Sequence, residues 1–361
     1  MHRRSLLAFS CVLGLASALG CGGDSGSSDP GTDPSVGPLA GNPDGHCTVP
    51  TEAKAADTSS PTHVVGDGTP ASCTSAAVVQ AVAQGGIITF DCGPDPVKIT
   101  LTETAKIFND APSPIVIDGG GKVTLSGAGA RRILYMNTCD MAQHWTTSHC
   151  DNQATPVLVV QNLTFVDGSA TGDTGLTGGG GAIFVRGGRF KLVNTRFFNN
   201  QTDALGSDVG GGAIRVFDQY DDQPVYVVNS TFGGTGLGNF GANGGALSSI
   251  GVSWQILNSW FQENQAIGHG ANDGLGGNGG AIYNDGNTFT TTVCGTRMLD
   301  NTANEGGGAI FYVSNDRSGH LNVLDSVLTH NPSLKFETNG YPGIFVLASG
   351  NPNTSGSTLT P

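Results

Sequence analysis

Six side chains at equivalent places in a repeating sequence have the types that handle sugars and their acidic groups: Arg196, Trp260, Glu263, Arg297, Asp300 and His330. They fall in two columns. The place directly before an apolar residue is filled in turn by Thr164, Arg196, Thr231, Trp260, Arg297 and Val327, and the place two after that residue by Asp167, Asn199, Gly234, Glu263, Asp300 and His330. In stacked strands, neighbouring members of a column stand about 4.8 Å apart. An outward indole flanked by guanidinium groups suits a sugar ring and its hydroxyl or acidic substituents, so Trp260 and Arg196 are expected to bind ligand. Two carboxylates at that spacing, Glu263 and Asp300, repel unless one is protonated, both share a cation such as calcium, or they splay into water. With Arg297 and His330 beside them they could remove a proton next to a uronate carboxylate, the chemistry of a polysaccharide lyase. Against this stands the plain alternative of a solvated strand face with its turn residues splayed.

The columns exist because the chain repeats. Near-copies of Gly306-Gly307-Gly308-Ala309-Ile310 end in Ala182-Ile183, Ala213-Ile214, Ala246-Leu247 and Ala281-Ile282, with steps of 31, 33, 35 and 28 residues between successive alanines. A second word lies between them: Asn162-Leu163-Thr164-Phe165, Asn194-Thr195-Arg196-Phe197, Asn229-Ser230-Thr231-Phe232 and Asn258-Ser259-Trp260-Phe261. Weaker copies start at Gly295 and Asp325. A fixed word at this period marks a solenoid, an all-β stack whose units bury their apolar faces only against one another. The fourth residue of the second word points inward. The asparagines three places later, Asn200, Asn264, Asn301 and Asn331, are placed to stack their amides between units.

Ahead of the repeats, residues 74–84 read as a helix with Thr74 or Ser75 as cap and Gly85-Gly86 as stop. Strands are expected at 87–92, 97–101, 115–118, 122–125 and 133–136. A helix there can cover the open edge of a strand stack. Residues 139–155, with Cys139, Trp145, His149 and Cys150, interrupt the pattern as a loop.

Met1-His2-Arg3-Arg4, an apolar run from Leu6 to Leu19 and Gly20-Cys21 make a secretory signal too short to span a bilayer. Residues 22–45 are Gly, Ser, Asp and Pro, the composition of a flexible tether. The expected organisation is a signal over 1–20, a tether over 21–45 and one domain over 46–361, with a cap at 70–92 and repeats over about 157–345. Removing residues 1–20 leaves 14 basic against 29 acidic residues, a net −15, which argues against nucleic acid and anionic membrane surfaces as partners and weakens, without excluding, a polyanionic substrate. Beyond Cys21 the cysteines number six, an even count that fits an oxidising compartment. Fifteen pairings are open. Cys73–Cys92 and Cys139–Cys150 are favoured because each closes a short segment.

The sequence also carries family likenesses. Ala18-Leu19-Gly20-Cys21 resembles a bacterial lipobox, which implies lipidation at Cys21 and a place on the cell surface or periplasmic face. The Gly-Gly-Ala-Ile and Phe-x-x-Asn words, full at Phe197–Asn200 and Phe261–Asn264, resemble the polymorphic outer membrane protein repeat. Cys73-Thr74 to Asp91-Cys92, followed by Ile117-Asp118-Gly119-Gly120-Gly121, is similar to the start of pectate-lyase-like proteins. These likenesses, covering about residues 70–345, imply a right-handed parallel β-helix and a superfamily of lyases, hydrolases and adhesins, so fold alone does not settle function. Gly268-His269-Gly270 and Asp221-Asp222 resemble polygalacturonase words, but a gap of 47 residues from Asp222 to His269 departs from that pattern. The expectation is a monomeric, lipid-anchored surface protein that binds polysaccharide or another cell-surface ligand. The alternatives are an extracellular polysaccharide lyase, with calcium as its one conceivable cofactor, and a passive spacer.

Overall fold

The structure, a computed structural model, describes residues 40–361 except Thr174 and Asp208. The signal, Cys21 and the tether as far as residue 39 lie outside the described residues. Among the described residues the strands form parallel sheets of sixteen, eight and three strands. A repeat visits them in turn: Ile183–Arg186 joins the eight-stranded sheet, and Arg189–Val193 and Arg196–Phe198 join two arms of the largest sheet. The next repeat then returns to the eight-stranded sheet with Ile214–Phe217. The long strands Ile115–Ser126 and Val157–Val166 run through both arms and hold them together.

Register follows the repeat words. Ile183, Ile214, Leu247, Ile282, Ile310 and Ile344 pair in one column, all fully buried. Their preceding glycines are needed where backbones nearly touch: a Cβ on Gly280 would strike the carbonyl oxygen of Gly308, and Gly307 has φ +68°. The inward phenylalanines stack face to face, with ring centroids 4.9 Å apart for Phe165–Phe197, 4.8 Å for Phe197–Phe232 and 4.7 Å for Phe232–Phe261. Beside them runs a buried amide ladder. Asn200 Nδ2 donates to Asn239 Oδ1 at 2.8 Å, Asn239 to Asn264 at 2.9 Å, Asn264 to Asn301 at 2.8 Å and Asn301 to Asn331 at 2.8 Å. Each amide thereby satisfies its neighbour in a site closed to water.

The helix spans Ser75–Gln84, with Thr74 Oγ1 accepting from the Ala77 amide at 3.2 Å and Gly85 at φ +71° ending it. Its buried Val78, Ala81 and Val82 face the edge strand Ala105–Ile107, and the helix covers that end of the eight-stranded sheet. Strands 115–118 and 122–125 prove to be one strand, Ile115–Ser126, irregular between Asp118 and Val123. At the other end the stack continues past residue 345, since Thr358–Thr360 still pairs with Val327–Thr329. Disulfides join Cys73–Cys92 and Cys139–Cys150, as expected from their spacing, and Cys47–Cys294. Among the described residues no helix is long and apolar enough to cross a membrane.

Candidate functional site

The column expected to face solvent is in register: Arg196 pairs with Thr164 and Thr231, Trp260 with Thr231 and Arg297, and Arg297 with Val327. It is not open. Arg196 and Trp260 are 5% and 4% exposed, and Thr231 is fully buried, which corrects the expectation of an accessible Trp–Arg ligand face. Residues 40–56, expected to begin as free tether, instead form a strap along the crease between the two arms of the large sheet. Gly41 N donates to Thr231 Oγ1 at 2.8 Å, Cys47 N donates to Asn258 Oδ1 at 2.8 Å, and Asn258 Nδ2 returns a bond to Cys47 O at 3.0 Å. The Cys47–Cys294 disulfide fastens the strap, and Ala53 packs with Val193, Val228 and Leu257. Asp44 Oδ2 meets Arg297 Nη2 at 3.2 Å, and the same guanidinium lies 5.5 Å from the Trp260 ring centroid. Trp260 Nε1 donates to Gln262 Oε1 at 3.0 Å. Burial lowers the pKa of Arg196 from its usual value.

The acidic column lies where strands turn away. Glu263, Asp300 and His330 all have left-handed backbones, with φ of 54°, 54° and 50°. A reversal at each strand end carries these side chains to the rim of the sheet. Glu263 Oε2 accepts the Gly236 amide at 2.7 Å, so it holds the loop of the preceding repeat, while Asp300 and His330 are exposed. No hydrogen bond or ion pair joins Glu263, Asp300, Arg297 and His330 to one another in the described structure. Calcium takes six to eight oxygen ligands. Among the described residues the group of three potential metal ligands that comes together is Cys47, Cys294 and Asp325, and its two sulfurs are bonded to each other.

Asp221 and Asp222 line a polar cleft of 260 Å³ with Asp151 and Asp218, and His269 is not among its lining residues. Burial raises the Asp218 pKa, Arg186 opposes the rise, and Asp151 and Asp222 add to it.

A different outward column stays open. On the first arm of the large sheet Lys191, Tyr226, Gln255, Thr292 and Asn322 pair in sequence, each half-buried, with Asn322 Nδ2 3.4 Å from Thr292 Oγ1. They offer donors, acceptors and one aromatic face in steps of about 4.8 Å. Sequence reasoning passed over this column because its members share no residue type. Their signal was positional: each lies three places before the first residue of the Asn-x-x-Phe word or its weaker copy. Asn239 was missed for another reason, an insertion that puts it seven places after Phe232 rather than three. Cys47–Cys294 was legible by elimination once the two short pairs were formed. Compared with protein-family models, with curated proteins and with solved structures, the chain gives no match.

Proposed function

We propose that this is an exported surface protein, wound as a right-handed parallel β-helix and lipid-anchored at Cys21, that binds polysaccharide along the open arm of its largest sheet. The observation that carries this is the in-register column Lys191–Tyr226–Gln255–Thr292–Asn322. A straight row of hydrogen-bonding side chains, about 19 Å long at the strand spacing, matches an extended chain of hydroxyl-bearing rings, and Tyr226 supplies a ring face for stacking. Three disulfides among the described residues support an oxidising, extracytoplasmic setting. The adhesin-like repeat words agree with a binding role. Lyase chemistry by Glu263, Asp300 and His330 would need Arg297 grouped with them, and Arg297 instead meets Asp44.

Titrating the full chain with a panel of neutral and acidic polysaccharides tests this. Binding to at least one of them should weaken about tenfold or more in Tyr226→Ala, the loss of one buried stacking contact. No binding across the panel, or unsaturated product absorbing in the ultraviolet on incubation with a polyuronate and calcium, would overturn it.

A further inference from the structure

At the N-terminal end of the open arm lies a small cavity of 150 Å³ lined by Glu52, Arg189, Lys191, Gln223, Pro224 and Tyr226 among others. Strand alternation explains its charge. Within Arg189–Val193, Phe190 and Leu192 are buried in the core, so Arg189 and Lys191 emerge together on the outer face. Elsewhere Arg132, Arg186, Arg297 and Lys335 each meet a carboxylate. Arg189 and Lys191 have no carboxylate within ion-pair distance among the described residues, in a chain of net charge −13. Arg189 Nε is buried with no hydrogen-bond partner in the structure. A buried donor left so is costly to the folded chain. Lys191 Nζ donates to the carbonyl oxygens of Glu52 at 2.9 Å and Lys54 at 2.6 Å, which fix its position, and the Glu52 carboxylate attracts its charge without reaching ion-pair distance.

We propose that this cavity is a subsite for the carboxylate of an acidic sugar residue: the Arg189 guanidinium takes the carboxylate, Lys191 adds a second charge, and Tyr226 with Pro224 walls the ring. It deepens the polysaccharide-binding reading, since Lys191 and Tyr226 are also the first two rungs of the open column. The guanidinium fork matches a planar carboxylate, and the volume, about five waters at roughly 30 Å³ each, admits one such group with part of its ring. Glu52 sets the limit on affinity. Its Oε1 lies 3.4 Å from the Tyr226 hydroxyl, so an incoming anion meets a like charge at the rim.

The test is calorimetric titration of the full chain with glucuronic acid, glucose and inorganic phosphate. Glucuronic acid should bind, glucose should not, and added salt should weaken the complex. Arg189→Ala should weaken it about tenfold or more, the worth of a hydrogen bond to a charged group. Glu52→Gln, an exposed change, should strengthen it several-fold, a gain that a merely structural role for Glu52 would not produce. Glucuronic acid binding that ignores both substitutions would overturn the proposal, and so would phosphate binding equally well, which would make the cavity a general anion patch. A neutral polysaccharide bound through Tyr226, with no uronate binding, would defeat this subsite and leave the polysaccharide reading standing. A uronate held by Arg189 with no polysaccharide bound would do the reverse.

Discussion

The two arms of the largest sheet obey one alternation rule and reach opposite ends. On the first arm Lys191, Tyr226, Gln255, Thr292 and Asn322 point outward and stay within reach of solvent. On the second, Arg196, Thr231 and Trp260 point outward and are buried. The strap over residues 40–56 reaches the second arm through Gly41 and Asp44, and on the first it takes up the near edge through Glu52, Ala53, Lys54 and the Cys47–Cys294 disulfide. Alternation therefore reports which way a side chain leaves the sheet, and says nothing of what lies on it.

Four variants would break or sharpen that contrast, and the largest effect should come from unfastening the strap. Replacing Cys47 and Cys294 by serine removes a crosslink between residues 247 apart, and the chain-entropy model puts the loss at about 5 kcal/mol. The unfolding midpoint in urea should fall accordingly and quenching of tryptophan emission by acrylamide should rise. Unchanged quenching would mean that the second arm is sealed without the strap. Next in size is Thr231→Val, which leaves the Gly41 amide without its buried acceptor and should cost about 1–3 kcal/mol. Thr292→Val, on the open arm, should stay within about 0.5 kcal/mol of the parent by the same measurement. Equal losses at both sites would erase the distinction between the arms. Smallest is Asp44→Asn, since that carboxylate is 69% exposed, and about 0.5 kcal/mol or less is expected. A larger loss would show the ion pair, rather than the backbone bonds, to be what seats the strap.

Much of this architecture was legible in the residues. Regular words expose a stack, because a position that meets its own copy above and below tolerates few side chains: Phe165, Phe197, Phe232 and Phe261 stack on one another, and Asn200, Asn264, Asn301 and Asn331 bond within one ladder. The helix carries its own cap and stop at Thr74 and Gly85, so its limits show locally. Apart from its disulfide, the strap was not legible. Its bonds run from backbone atoms of Gly41 and Cys47 to Thr231 and Asn258, and a backbone atom leaves no mark on composition. Gly, Pro and Asp written for close approach look the same as Gly, Pro and Asp written for a tether. For the same reason Trp260 was expected to lie in the open, whereas the place of Glu263 and Asp300 near a turn, and with it their splaying toward the rim, was weighed from the sequence as the plain alternative.

Asn239 sits in the amide ladder although the chain takes seven residues to reach it from Phe232, where Phe197 and Phe261 need three. The ladder thus registers arrival and ignores the length of the detour, and lengthening a surface loop adds little closure entropy. The segment between Gly233 and Gly238 is accordingly a place where a foreign peptide could be grafted and displayed at a fixed height on the stack, with Phe232 in the ring stack and Asn239 in the amide ladder holding the graft's two ends in place.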